Sequence, residues 1–223
     1  MRATSNNAKA LVFRIILTLL AGYGLADGWG LLRGHFDCCG LVYFTDVSNL
    51  LGFLYFLAAV VFGLTHRSRS AGAITFLPRL KGCVTLGLAL TLLVNQFVLS
   101  GTPFHTTANA AGAHFDVANF LSHYLVPLMA IFDAIIFDET GWMRPSDPWV
   151  FEIIPCVYFI YVLIRAQVGG PINDGRYYPY FFLDVHALGF IKVTMCAVAM
   201  AAGVLVLGYI VYWSNRRLAQ KAN

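Results

Sequence analysis

Six long, predominantly apolar runs, at 11–32, 41–64, 82–100, 117–137, 149–168 and 187–213, constrain this chain more than any other feature. Crossing the hydrocarbon of a bilayer takes about 20 apolar residues as helix, and each run meets that length. In lipid every backbone N–H and C=O must find its partner within the protein, which leaves helices or a closed barrel. A barrel strand reads as an alternating segment of about 10 residues, and these runs are continuous and longer. The sequence therefore predicts an all-α polytopic membrane protein of six transmembrane helices. The composition agrees, with 59% hydrophobic and 12% charged residues where soluble domains carry roughly a quarter charged. The links are too short to hold a separate domain, so residues 1–223 read as a single transmembrane helical bundle, and any activity lies inside it or at its mouth.

Orientation follows from the basic residues, which stay on the cytoplasmic side during insertion. An inside N-terminus places Arg2, Lys9, Arg67, Arg69, Arg79, Lys81, Arg144, Arg216, Arg217 and Lys221 on that side, against Arg33 and Arg176 in the outer links. Both termini are thus expected inside. The first run is long for a signal segment and lacks a small-residue cleavage site, so it is expected to be retained. Topology accounts for the formal net charge of +4, and no basic patch with interleaved aromatics suggests a nucleic-acid partner. Cys38 and Cys39 are adjacent in an outer link, Cys83, Cys156 and Cys196 lie in spans, and no CxxC occurs. Neither a thiol-redox site nor a zinc finger is expected, and only an intermolecular disulfide from Cys38 or Cys39 stays open.

Polar residues within the spans carry the functional information, because an unpartnered polar group in hydrocarbon is expensive and tends to face the bundle interior. They fall at two depths. Arg14, Asp133 and Glu152 lie near the cytoplasmic ends and read as an ion-pair clamp. The second set lies toward the outer side. At ~1.5 Å per helical residue, Thr45 is roughly 6 Å and His123 roughly 9 Å below the outer ends of their spans. Asn95, Gln96, Arg165, Gln167 and Lys192 share that slab. Thr45, Ser48 and Asn49 follow i, i+3, i+4 spacing on one helix face, and Asn119 and His123 follow i, i+4 on another. A polar chamber open toward the outer leaflet is the expected result. The last outer link carries Tyr177, Tyr178, Pro179, Tyr180, Phe181 and Phe182, which reads as an interfacial aromatic anchor or as a lid over an outer opening.

Histidine activates hydroxyl nucleophiles because its ordinary pKa of about 6.5 lets it accept a proton near neutrality. Thr45 supplies a hydroxyl at the depth of His123, and the pair can work only if their two helix faces meet. The alternative is that Thr45 bonds back to a carbonyl one turn earlier and His123 bonds another helix. Oxyanion or substrate-lining donors available at this depth are Ser48, Asn49, Asn95, Gln96, Asn119, Arg165 and Lys192. Asp46 points about 100° away from Thr45 around the helix, toward the interface. A metal site would have to draw on His35, His105, His114, Asp184 and His186, none of which has ligand-pair spacing, so no metal or other cofactor is expected. Gly22, Gly24, Gly28 and Gly30 suit close helix packing and give no phosphate loop. Neither GxSxG nor the GxSG of rhomboid-type proteases is present.

The segment Val42-Tyr43-Phe44-Thr45-Asp46-Val47-Ser48-Asn49-Leu50 at the start of the second span, with Asn119-Phe120-Leu121-Ser122-His123 and Pro127 in the fourth, resembles the androgen-induced gene family and its bacterial relatives. Tyr124 stands where that family's pattern has a small hydroxyl residue, and Pro127 is one position nearer the histidine. The resemblance implies a six-span membrane hydrolase in which a threonine acts as nucleophile and a histidine as base, matched here by Thr45 and His123. It further implies a lipid substrate drawn from the bilayer, a fatty acid ester of a hydroxy fatty acid. The compact form and the motifs point to a bacterial inner membrane with the site toward the periplasm.

Overall fold

The computed structural model describes residues 2–65, 75–100, 102, 116–172 and 175–222. Arg67, Arg69, His105 and His114 lie outside the described residues. Six long apolar helices are present: α1 (Arg2–Gly28), α2 (Phe44–Thr65), α3 (Pro78–Val98), α4 (Val117–Phe137), α5 (Asp147–Val168) and α6 (Phe190–Ala222). No strand occurs among the described residues. The protein is thus an all-α integral membrane protein, as its hydropathy predicts.

Element ends depart from the sequence reading where the backbone is punctuated. α1 stops before residue 32 because Gly30 takes φ 75° and the chain turns into a 3-10 segment, Leu31–Arg33. α3 begins ahead of residue 82, with Pro78 in its first turn, where the missing N–H does no harm. That early start brings Lys81 inside the helix. Gly189, at φ 78°, separates a short helix, Val185–Leu188, from α6.

α1 packs on α2 and α4, and α3 packs on the same two, so that α1–α4 form a four-helix group. Leu17, Phe56, Leu88, Val126 and Ala130 fill its centre. Lipid tails are as apolar as leucine, so this association depends on close packing rather than on escape from water. Gly52 allows it, since a Cβ there would stand 3.0 Å from Leu88. α5 joins through α3. α6 rests on the first turns of α5 at one end and on the last link, through Phe181–Leu183 and Val185–Leu188, at the other. Between these supports α5 and α6 touch only sparsely, and α6 is the least buried span, at 11% against 28–39% for the others. Leu19, Phe97, Ile135 and Ile191 are among the large apolar side chains that face outward, as a lipid-facing surface requires.

The bundle end that carries the termini holds the buried ion pairs. Arg14 Nε donates to both Asp133 oxygens at 2.9 and 3.2 Å, and Lys81 pairs with both Asp133 and Asp138. Arg79 Nε lies 3.0 Å from Asp147, which is fully buried. The predicted clamp exists with a different membership. Lys81 and Asp138 belong to it, whereas Glu152 does not, because its helix faces the opposite side of α3.

Candidate active site

α2 and α4 bring their polar faces together at the other end. Thr45, in the first turn of α2, places Oγ1 3.1 Å from His123 Nε2. His123 Nδ1 lies 3.1 Å from the carbonyl of Asn119. A carbonyl can only accept, so Nδ1 carries the proton and Nε2 turns its lone pair to the threonine hydroxyl. That is the tautomer a base needs. The Thr45 hydroxyl meets His123 on another helix, and the Leu41 carbonyl one turn earlier accepts from Tyr161.

The position of His123 depends on an irregular stretch. α4 widens into a π turn over Leu121–Leu125, where the N–H of Val126 donates to Leu121 instead of Ser122. Pro127 follows and has no N–H to donate. The widening frees the Ser122 carbonyl, and Asn49 Nδ2 takes it at 2.9 Å while also donating to the Thr45 carbonyl at 2.8 Å. Asn49 is therefore a brace that sets α2 against the turn holding His123. Ser48 adds a second brace, with 3.0 Å to the Thr45 carbonyl and 2.7 Å to Thr91 Oγ1 on α3. Gly24 of α1 lets the π turn approach, since a Cβ there would meet Leu121 at 3.2 Å. α3 has its own π turn, Val94–Val98, beside the same site. π turns concentrate at functional sites because they redirect side chains and release carbonyls.

Sequence reasoning missed Tyr180. Its hydroxyl accepts from the Phe44 N–H at 3.1 Å and touches the Thr45 side chain. Burial pushes its pKa up to about 12, so the phenol remains protonated and able to donate near neutrality. Tyr158 Oη donates to the Val42 carbonyl at 2.8 Å and fixes the approach to α2. The interfacial-anchor reading of the aromatic link holds only for Tyr177 and Phe181, which are exposed. Tyr178, Tyr180 and Phe182 are buried, with the last two rings stacked at 5.2 Å.

Below Thr45 opens a cavity of about 250 Å³ between α3, α5 and α6. Its wall is mostly apolar, from Leu90, Phe159, Met200 and Val204 among others, with Thr45, Thr91, Asn95, Tyr158, Tyr180 and Glu152 as polar interruptions. Ala197 and Ala201 of α6 and Cys156 and Ile160 of α5 line it on one side. Cys156 and Ile160 are also exposed, so this side of the cavity reaches the outer surface of the bundle. Asn95 donates to Tyr124 Oη, which donates on to Gln96, each at 3.2 Å, so Gln96 reaches the site only through Tyr124 and is itself exposed.

Of the other predicted lining residues, Asn119 contributes its carbonyl, and Arg165 and Lys192 do not line the cavity. Arg165 props the last link through the Tyr177 carbonyl at 3.4 Å, and Lys192 lies exposed on α6 because its helix rotation turns it outward. Asp46 turns away from His123 toward Gly40 beneath the 3-10 segment Cys38–Val42. Asp184 caps the short helix by accepting from Ala187 N, and His186 packs edge-on against Tyr177 and Tyr178. Among the described residues no three His, Cys, Asp or Glu side chains are grouped to hold a metal.

A hydroxyl with an imidazole nitrogen 3.1 Å behind it, a phenol beside it and an apolar cavity beneath it has the groups that acyl transfer needs. Comparison of the chain with protein-family models, with characterised proteins and with solved structures found no match, so the reading of this site rests on its own geometry.

Proposed function

We propose that this protein is a membrane-embedded carboxylic ester hydrolase with Thr45 as nucleophile and His123 as base. The 3.1 Å contact between Thr45 Oγ1 and His123 Nε2 is the observation that carries the proposal. His123 Nε2 takes the Thr45 proton as Oγ1 attacks the ester carbonyl carbon. The tetrahedral oxyanion is held by the Tyr180 phenol and by the N-terminal turn of α2, whose dipole favours negative charge. Collapse breaks the ester C–O bond, His123 returns its proton to the departing alcohol, and an acyl-threonine remains. Water, deprotonated by His123, then releases the acid and regenerates Thr45. No cofactor takes part in these steps.

The apolar cavity, whose lining residues Cys156 and Ile160 are exposed on the outer surface of α5, favours a substrate with a long chain that enters from the bilayer. Fatty acid esters of hydroxy fatty acids, the substrates implied by the resemblance to the androgen-induced gene family, have this chemistry. The distribution of basic residues places the Thr45 end away from the cytoplasm, toward the periplasm in a bacterial inner membrane.

The test is turnover of such an ester by purified protein in detergent, beside Thr45→Ala and His123→Ala variants of matched thermal stability. Loss in both is expected, together with loss of fluorophosphonate labelling in Thr45→Ala. The same cavity also suits a lipid-binding or transport protein without chemistry. An inactive wild type that binds these esters with unchanged affinity in Thr45→Ala would establish that second reading.

A further inference from the structure

Glu152 stands in the wall of the Thr45 cavity, 8% exposed, and neither of its carboxyl oxygens has a partner among the described residues. Every other carboxylate buried near this end of the bundle is matched: Asp133 by Arg14 and Lys81, Asp147 by Arg79 and the Arg144 N–H. A buried carboxyl group left unmatched in apolar surroundings is a standing energetic penalty, whichever its protonation state. A penalty of that kind persists where a ligand relieves it.

Its place in the fold sets the distance to the reacting hydroxyl. Cys83 of α3 meets the Val150 carbonyl of α5 at 3.5 Å, which puts Glu152 close to the level of Cys83. Ser48 meets Thr91 eight residues further along α3, and Thr45 is one turn beyond Ser48. At 1.5 Å per residue the separation along the bundle axis is roughly 15 Å. A saturated chain, with bonds near 1.5 Å at tetrahedral angles, advances about 1.25 Å per carbon and covers that distance in about twelve carbons.

We infer that Glu152 is a binding subsite for a hydroxyl group carried on an acyl chain about twelve carbons from the carbonyl held at Thr45. A hydroxyl both donates and accepts, so it satisfies the carboxyl group neutral or ionised, whereas an ammonium matches only the ionised form. The cavity's other unpartnered acceptor, Asn95 Oδ1, lies at the Thr45 end, so Glu152 is the group that distinguishes a chain hydroxylated far from its carbonyl from a plain one. The placement of the carbonyl rests on the hydrolase reading, but the pairing of Glu152 with a hydroxyl does not require turnover.

The experiment therefore measures binding in the Thr45→Ala protein, using methyl 12-hydroxydodecanoate and methyl dodecanoate as competitors of a fluorescent fatty acid. A single hydrogen bond to a buried acceptor predicts about a three- to tenfold preference for the hydroxylated ester. Adding Glu152→Leu abolishes that preference while the plain ester binds at least as well, and Glu152→Gln retains it, since a carboxamide still pairs with a hydroxyl. Methyl 6-hydroxyhexanoate, too short to reach, shows no preference over methyl hexanoate, a comparison that needs no change at Glu152. Equal binding of the two twelve-carbon esters overturns the inference, as does a preference that survives Glu152→Leu. Failure of the hydrolase reading appears separately, as absent turnover in the wild type.

Discussion

The two ends of this bundle hold polar groups in opposite ways. At the end carrying the termini, Arg14 and Lys81 share Asp133 and Asp138, so formal charges cancel across α1, α3 and α4. At the other, Thr45, Ser48, Asn49, Thr91, Asn119 and His123 form a network without a formal charge pair, and two π turns release carbonyls for it. Saturated charge locks helices together and leaves nothing to react. A neutral network that leaves one imidazole lone pair aimed at one hydroxyl keeps its reactivity.

The sharpest way to break this contrast is to separate rate from stability. Thr45→Ala should lower kcat/KM by about 10⁴ or more, as loss of a nucleophile does, with little change in thermal unfolding. His123→Ala should lower it by about 10²–10⁴, the usual contribution of a general base. Asp133→Asn should do the reverse. It leaves Arg14 and Lys81 to share a single carboxylate, and removing one partner of a buried pair costs about 3–5 kcal/mol. Thermal unfolding in detergent should register that loss while kcat of the folded fraction stays near wild type. A fall in kcat matching that of His123→Ala would erase the distinction between the ends.

Smaller effects sharpen it. Tyr180→Phe should lower kcat about 10²-fold with KM nearly constant, because a donor to the oxyanion acts mainly in the transition state. Asn49→Ala leaves the Ser122 carbonyl without its donor and should cost about 1–3 kcal/mol of stability. It should also slow turnover, since the brace between α2 and the His123 turn is gone. An Asn49→Ala protein that is destabilised yet fully active would confine Asn49 to the fold.

Much of this was legible in the sequence. Hydropathy gives the α4 span with both its ends, Val117 and Phe137, and helical rise gives Thr45 and His123 a common depth. Misreadings cluster where a local signal met a nonlocal partner. Lys81 looked like a loop cation until Pro78 started α3 early. Glu152 looked like a clamp member because its depth was right, although its helix faces another cavity. Tyr180 was hidden in an aromatic run that hydropathy assigns to the interface.

By itself the sequence determined the number of helices, the even span count that returns both termini to one end, and the level of each polar residue along the bundle. Hydropathy fixes the coordinate along the bilayer normal, and helical period fixes the angle of each side chain around its own axis. Only the tertiary structure decided how those axes are rotated against one another. That rotation, set by close packing at Gly24 and Gly52 and by the carbonyl that the α4 π turn yields to Asn49, is what turns a shared depth into a 3.1 Å contact.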